Sequence, residues 1–236
     1  MTGFRALTIE RQLSLDLSGD AFPSQIQGWN DGPINLLDGA THYGIVTHGE
    51  GLLTDAESQY PLRAGMFFVL PGAGRIGGRG SAGLVISRHD YAGLWQIGGP
   101  PEARGRLRYI DGCSDTLLVC PPLVGEPCLN FLHIPPGTHQ TAHTHPSFRA
   151  GVILRGRGEC RTPDGTFALA PGLGWFIPAA APHSFHTEGD FLDVIAFHPD
   201  SDFGPSHDDH PMTNKTIVNG VPASQIAAIR TTQITS

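Results

Sequence analysis

An internal repeat constrains the fold of this chain more than any other feature of its 236 residues. The segment that begins at Tyr43 and the segment that begins at Ala150 align without a gap, at an offset of 107 residues. Glycines and prolines coincide in that single register, as Gly44 with Gly151, Gly49 with Gly156, Gly51 with Gly158, Gly65 with Gly172, and Pro71 with Pro178. Such self-similarity indicates two copies of one supersecondary unit.

Each copy has the pattern of short strands joined by tight turns. The chain contains 31 Gly and 20 Pro, so few uninterrupted stretches could hold three helical turns. Within each copy, an apolar strand is followed by a Gly-x-Gly turn, a second strand, and a third strand that ends in proline. The predicted strands are HYGIVT, MFFVLP, INLL and GLVISR in the first copy, and GVILR, GWFIP, CLNFLH and FLDVIAFH in the second. We therefore predict an all-β fold.

The repeat also predicts the domain organisation. We expect an N-terminal domain over residues 1–106, a C-terminal domain over residues 107–210, and a short tail over residues 211–236. The connector is predicted near Gly98–Arg106, where proline, glycine and charge concentrate. Within the tail, PASQIAAIR could form a short helix that starts near Pro222.

Charge and composition exclude several classes of partner. The formal net charge is −7, and no basic cluster interleaved with aromatic residues appears, so we expect no nucleic-acid partner. No apolar run approaches 18 residues and the N-terminal segment is charged, so we expect no membrane association and a cytoplasmic location. The 4 cysteines form no CxxC pair, which indicates reduced thiols and argues against a thiolate zinc site.

Histidines are concentrated in the second copy, with nine of the 12 at or after His133. His143 and His145 are two residues apart, a spacing that places both imidazoles on the same face of a strand. His183 follows 38 residues later, after the predicted hairpin. If the strands close into a barrel, these three imidazoles can converge inside it. Imidazole is a common ligand of iron, zinc, copper and nickel, so we predict a metal site at these three residues.

The remaining histidines of the second copy carry weaker signals. His139, in the loop before His143, could be a spare ligand, a proton shuttle or a solvent-facing residue. His186 would point to the opposite strand face from His183, away from the metal. Three more histidines, His198, His207 and His210, lie in a polar Pro/Gly segment. We interpret this segment as a lid, a subunit contact or a solvated loop.

Two motifs in the second copy resemble the motifs of the cupin superfamily. They are Gly137-x5-His143-x-His145-x3-Arg149-x6-Gly156 and Gly172-x5-Pro178-x-Ala180-x2-His183-x3-Thr187. The resemblance covers residues 128–198 strongly and residues 28–90 weakly. It implies a bicupin, which is two tandem double-stranded β-helix (jelly-roll) barrels. It also implies one divalent metal, held in cupins by two histidines and a glutamate of the first motif and the histidine of the second.

The sequence departs from the cupin pattern at three positions, and Arg149 is the most informative of them. The pattern has Glu where Arg149 stands, Gly at Ala180 and Asn at Thr187. Arginine cannot deprotonate or ligate a cation, so the site would keep three neutral imidazoles and the full charge of the metal. Such a site favours an anionic or chelating substrate, to which Arg149 could form a bidentate pair. Alternatively, Arg149 points outward and pairs with a surface acid.

The first copy lacks this set of ligands. At the 107-residue offset, the three histidines and Arg149 correspond to Leu36, Asp38, Ile76 and His42. We therefore predict a metal-free N-terminal barrel that serves packing, dimer contacts or shielding, and one divalent metal per chain. Fe(II) is favoured, with Mn, Ni or Zn as alternatives.

These observations predict an enzyme, most simply a non-haem Fe(II) dioxygenase that acts on a small anionic or chelating substrate. In it, His143, His145 and His183 hold the metal, Arg149 orients the substrate, and His139 could shuttle protons. The same site could instead support redox-neutral isomerase, lyase or hydrolase chemistry. A third alternative is a non-catalytic cupin that binds small molecules, since one fold carries many functions. A homodimer is expected.

Overall fold

The computed structural model describes residues 3–201 and 216–226, and nearly all of their regular structure is β-strand. The all-β prediction is therefore confirmed. Residues 3–106, here called the N-terminal half, contain β1 (Arg5–Thr8), β2 (Ser14–Leu17), β3 (Ser24–Asn30), β4 (Ile34–Leu36), β5 (Ala40–His48), β6 (Glu50–Thr54), β7 (Gln59–Arg63), β8 (Phe67–Pro71), β9 (Gly74–Gly77), β10 (Ala82–His89) and β11 (Gln96–Gly98).

The C-terminal half, residues 107–201, continues the strand series after the connector. Its strands are β12 (Leu107–Arg108), β13 (Ser114–Val119), β14 (Cys128–Ile134), β15 (Arg149–Gly156), β16 (Gly158–Thr162), β17 (Gly165–Leu169), β18 (Leu173–Ile177), β19 (Ser184–His186) and β20 (Leu192–His198). One 3₁₀ turn, Ile110–Gly112, lies between β12 and β13. The predicted connector contains no strand between β11 and β12.

The two halves have the same sheet order. A six-stranded sheet runs β11-β8-β5-β10-β3-β2, and a seven-stranded sheet runs β1-β18-β15-β20-β14-β13-β12. Two smaller sheets, β4-β9-β6-β7 and β17-β16-β19, also correspond strand by strand at β9-β6-β7 and β19-β16-β17. The pairing of β5 with β8 and the pairing of β15 with β18 have the same register, because His42 pairs with Leu70 and Arg149 pairs with Ile177, each pair 107 positions from the other.

Three apolar clusters hold these sheets together. The largest is shared by the two large sheets, with Ile45 and Phe67 from one and Phe131 and Phe197 from the other. A second cluster fills the N-terminal half, and a third lies in the C-terminal half. Alternating residues of the strands face these clusters, as the period of a β-strand requires.

The N-terminal strand joins the sheet of the other half. β1 lies at one edge of the seven-stranded sheet, where it pairs antiparallel with β18, from Arg5 opposite Phe176 to Thr8 opposite Leu173. In the six-stranded sheet, the corresponding place beside β8 is taken by β11. In each large sheet, the edge beside the third strand of the repeat, β8 or β18, is thus covered by a strand from outside the repeat.

Residues 216–226 belong to a second unit. They form a small hairpin of β21 (Ile217–Val218) and β22 (Val221–Pro222), followed by a 3₁₀ turn at Ala223–Gln225. The helix predicted from Pro222 is a 3₁₀ turn as far as it is described, and its later residues lie outside the described ranges. The described ranges contain no helix with the length and apolar character needed to span a membrane.

Candidate metal centre

Backbone pairing between two loops brings the three predicted ligands together. The amide of His143 donates to the carbonyl of His183 and the amide of His183 donates to the carbonyl of His143, both at 3.0 Å. The carbonyl of His145 accepts from Ala180 at 2.8 Å. As a result, the ligand nitrogens of His143, His145 and His183 all lie within 4.8 Å of one another. Among the described residues, this is the group of side chains placed to hold a metal ion.

Backbone carbonyls orient two of the imidazoles. Nδ1 of His143 lies 2.9 Å from the carbonyl oxygen of Thr141, and Nδ1 of His183 lies 3.0 Å from that of Ala181. A carbonyl only accepts, so each Nδ1 carries the proton and donates it. Each Nε2 then keeps a free lone pair, which is the state that metal-binding histidines need.

Burial favours the neutral form of two of the imidazoles, those of His145 and His183. It lowers the pKa of His145 to about 3, with further lowering from the positive charge of Arg149. It also lowers the pKa of His183 to about 4, opposed by the hydrogen bond to Ala181. Both side chains are therefore unprotonated at neutral pH. Three imidazole nitrogens at this separation fit a divalent transition metal.

The triad opens onto a cavity within the C-terminal half. Apolar side chains form much of its wall, and the lining residues are Tyr109, Asp115, Asn130, Leu132, Gln140, His143, His145, Arg149, Trp175, Ile177, His183, Phe185, Val194, Ala196 and His198. The triad and Arg149, the candidate site residues named from the sequence, are among them.

Arg149 lies in the cavity wall and is only 8% exposed. Its Nη1 donates to the hydroxyl of Ser147 and to the carbonyl of Phe148, and it lies 3.5 Å from Oδ1 of Asp200. Its Nε is buried and has no hydrogen-bond partner among the described residues. The side chain therefore both faces the cavity and pairs with an acid, which combines the two orientations considered from the sequence.

The other two departures from the cupin pattern, Ala180 and Thr187, both lie in loops beside the histidines. Ala180 has a φ of +57°, the left-handed conformation that favours glycine, so the backbone keeps the shape that the pattern requires at some cost in strain. The hydroxyl of Thr187 accepts from the amide of Thr138 at 3.0 Å and donates to the carbonyl of Pro135. Thr187 thus fixes the loop that leads to the first two histidines.

Comparison with known proteins identifies the domain that carries this site. Residues 130–198 match the family model of the cupin domain. The model match and the structural neighbours together support the cupin superfamily. A search of curated proteins found no match.

Several solved structures share this fold. A cupin 2 conserved barrel domain protein from Leptotrichia buccalis aligns with a TM-score of 0.59 and 15% identity, over 82% of this chain and 95% of that chain. Salicylate 1,2-dioxygenase from Pseudaminobacter salicylatoxidans aligns with a TM-score of 0.59 and 14% identity, over 79% and 76%. Protein Ylba from E. coli aligns with a TM-score of 0.57 and 15% identity, over 86% and 93%. At these identities the likeness concerns the fold alone.

Two further histidines of the cupin domain form a separate pair. His139 is exposed, and its Nδ1 lies 3.3 Å from Nδ1 of His186. Nε2 of His186 is 2.7 Å from the hydroxyl of Ser184. Neither His139 nor His186 lines the cavity. His139 therefore lies apart from the triad, and its role as a proton shuttle stays a prediction.

The cavity also contains polar residues that were not identified from the sequence. Burial raises the pKa of Asp115 to about 6, and the nearby amide of Asn130 donates to both of its carboxylate oxygens at 3.3 Å. His198, from the segment interpreted as a lid, a subunit contact or a loop, ends β20 and lines the cavity. His207 and His210 lie outside the described residues. Nothing in the motif spacing marks Asp115, because its inward direction depends on the register of β13.

Proposed function

We propose that this protein is a metal-dependent bicupin enzyme, most simply a non-haem Fe(II) dioxygenase that acts on a small anionic, chelating substrate. The observation that carries the proposal is the juxtaposition, in one cavity, of three imidazoles and a buried arginine whose Nε has no partner among the described residues. The imidazoles add no charge to a bound cation, and the arginine supplies a second attraction for an anion.

The two tandem barrels are part of this proposal. The matching sheet orders and the shared 107-residue register support an N-terminal barrel over residues 1–106 and a metal-binding barrel over residues 107–210. The salicylate 1,2-dioxygenase neighbour supports oxidative chemistry only as an analogy of fold.

The metal would be held by His143, His145 and His183. For His143 and His183, whose Nδ1 donates to a backbone carbonyl, the ligand atom would be Nε2. When bound, a divalent iron would supply open positions for a chelating substrate and for O₂. Arg149 would bind the anionic group of the substrate and orient it, because its guanidinium is charged and lies in the same wall. Trp175, Ile177 and Phe185 would exclude water from the reacting groups.

The ion pair between Arg149 and Asp200 narrows the class of substrate that we expect. Asp200 lies 3.5 Å from Nη1, so part of the arginine charge is already balanced within the protein. Nε of Arg149 has no partner among the described residues, so it would donate to the ligand. We therefore expect a monoanionic carboxylate with an adjacent hydroxyl or keto oxygen, since two oxygens can chelate a metal while the carboxylate contacts the arginine.

The test is O₂ consumption by protein loaded with Fe(II), measured with an oxygen electrode on a panel of hydroxy- and keto-carboxylates that includes salicylate and gentisate. We expect substrate-dependent O₂ uptake with iron, and none with zinc. The variant His48→Ala removes an exposed histidine of the N-terminal half and should leave the rate unchanged.

Substrate turnover under nitrogen with a redox-inert metal would contradict the dioxygenase mechanism. That result would favour the redox-neutral alternative, in which the same site stabilises an enolate as a Lewis acid. Binding of the panel without any turnover, in either atmosphere, would favour a non-catalytic cupin.

A further inference from the structure

The indole of Trp175 has an N–H group without a partner. Trp175 is 2% exposed, and its Nε1 makes no hydrogen bond to any residue that the structure describes. The side chain lines the same cavity as the histidine triad and Arg149. Buried N–H groups are nearly always hydrogen-bonded, so an unpaired one at a cavity wall needs an explanation.

Packing alone does not require an indole at this position. Trp175 in β18 pairs with Gly151 in β15, and a Cβ at Gly151 would lie 3.1 Å from Cζ2 of the indole. In the N-terminal half, Phe68 pairs with Gly44, and a Cβ at Gly44 would lie 2.0 Å from Cε1 of the phenyl ring. Both rings thus lie across a glycine at equivalent places of the repeat.

A phenylalanine therefore meets the packing requirement of this position in the first half. Phe68 belongs to the N-terminal apolar cluster, as Trp175 belongs to the C-terminal one. What the indole adds is a larger ring and one hydrogen-bond donor. The donor occurs in the half that has the cavity.

The other fully buried tryptophan shows how this fold satisfies an indole within the protein. Trp29 is 0% exposed, and its Nε1 donates to the hydroxyl of Ser81 at 3.3 Å. Trp175 has no such acceptor among the described residues. Two unpartnered donors, Nε of Arg149 and Nε1 of Trp175, consequently belong to side chains of one cavity wall.

We propose that Trp175 is a specificity-determining residue whose indole N–H donates a hydrogen bond to an oxygen atom of the bound ligand. The ligand is then a small molecule with at least two acceptor groups, one for Arg149 and one for Trp175. This inference rests on the proposed function, because it assumes that a chelating anion occupies the cavity.

The first test measures ligand binding to protein loaded with Zn(II), which binds without oxidising the ligand. Salicylate and gentisate are titrated calorimetrically into the wild-type protein and into Trp175→Phe. We expect about tenfold weaker binding in the variant, because it loses a hydrogen bond to a charged group. The zinc content should stay at one ion per chain. Trp29→Phe is the matched control, and it should bind both anions with wild-type affinity.

The second test observes the wild-type protein, and variants serve only to assign its signals. The protein has 3 tryptophans, so three indole ¹⁵N–¹H signals are expected in the wild-type protein, and single Trp→Phe variants assign them. Addition of salicylate should move the Trp175 indole proton downfield and leave that of Trp29 in place.

The outcomes separate the two proposals. If neither anion binds to the zinc-loaded protein, the proposed chelating-anion function fails and this inference fails with it. If an anion binds with equal affinity to the wild-type protein and to Trp175→Phe, and the Trp175 indole signal stays in place, the role of Trp175 is overturned while the proposed function stands.

Discussion

The two halves of this protein have the same sheet order, yet they differ at the positions that form the metal centre. In the C-terminal half, His143 and His183 face each other beside a cavity. The equivalent residues of the N-terminal half are Leu36 and Ile76, which are 2% and 0% exposed and belong to an apolar cluster. Where one half keeps a cavity beside its histidines, the other has a packed core.

The position of Arg149 shows the same contrast. Its equivalent, His42, is buried, with Nδ1 2.7 Å from the hydroxyl of Ser87 and Nε2 2.9 Å from the carbonyl of Leu37. Both ring nitrogens are thus engaged within the protein, whereas Arg149 keeps Nε unpaired. Turns and strand pairing thus determine the fold of each half, while a few inward-facing residues determine whether that half forms a packed core or a binding cavity.

Exchange of equivalent residues between the halves should lower stability most in the N-terminal half, where these residues are packed in the core. Leu36→His would bury an imidazole without a partner and remove an apolar side chain, which should lower the free energy of unfolding by about 3 kcal/mol. The reciprocal variant His143→Leu, in metal-free protein, should change it by less than about 1 kcal/mol, because His143 is only partly buried. Urea unfolding measures both. Equal destabilisation by the two variants would contradict the assignment of core and cavity.

A smaller effect is expected at the pair Arg149 and His42. Arg149→Gln should weaken salicylate binding to the zinc-loaded protein by about 2 kcal/mol, since one charged hydrogen-bond partner is lost. His42→Gln should leave that affinity unchanged, because His42 lies in the half without the cavity. Calorimetric titration measures both variants. Unchanged affinity in Arg149→Gln would show that the arginine does not contact the anion.

The smallest effect concerns two aspartates in corresponding strands, Asp115 in β13 and Asp16 in β2. Burial raises the pKa of Asp115 to about 6, so its ionisation opposes folding, and wild-type stability should fall as the pH rises from about 4 to 6. Asp115→Asn removes that charge. Relative to wild type, the variant should gain about 1–2 kcal/mol between pH 4 and pH 7, after allowance for solvent screening.

Asp16→Asn is the matched control for this prediction. Hydrogen bonds from Ser18 lower the pKa of Asp16, so its ionisation favours folding and the control should not gain stability as the pH rises. Thermal unfolding at several pH values measures both variants. A gain in Asp16→Asn, or none in Asp115→Asn, would contradict the contrast between the two strands.

Local signals allowed much of the frame and the ligand set to be predicted. Paired glycines and prolines mark the turns of both halves, and the His-x-His spacing places two imidazoles together. Asp115 was missed as a cavity residue, since no local pattern tells which side chains face a cavity. The pairing of β1 with β18 joins residues some 170 positions apart and leaves no trace in local sequence.

The central claim is that the C-terminal half alone holds a metal, at the three histidines. Elemental analysis of the purified protein by mass spectrometry, on wild type and on His143→Ala/His145→Ala, tests this claim most directly. We expect one divalent metal per wild-type chain and none in the double variant. Two metals per chain, no metal in the wild-type protein, or full retention in the variant would contradict the account.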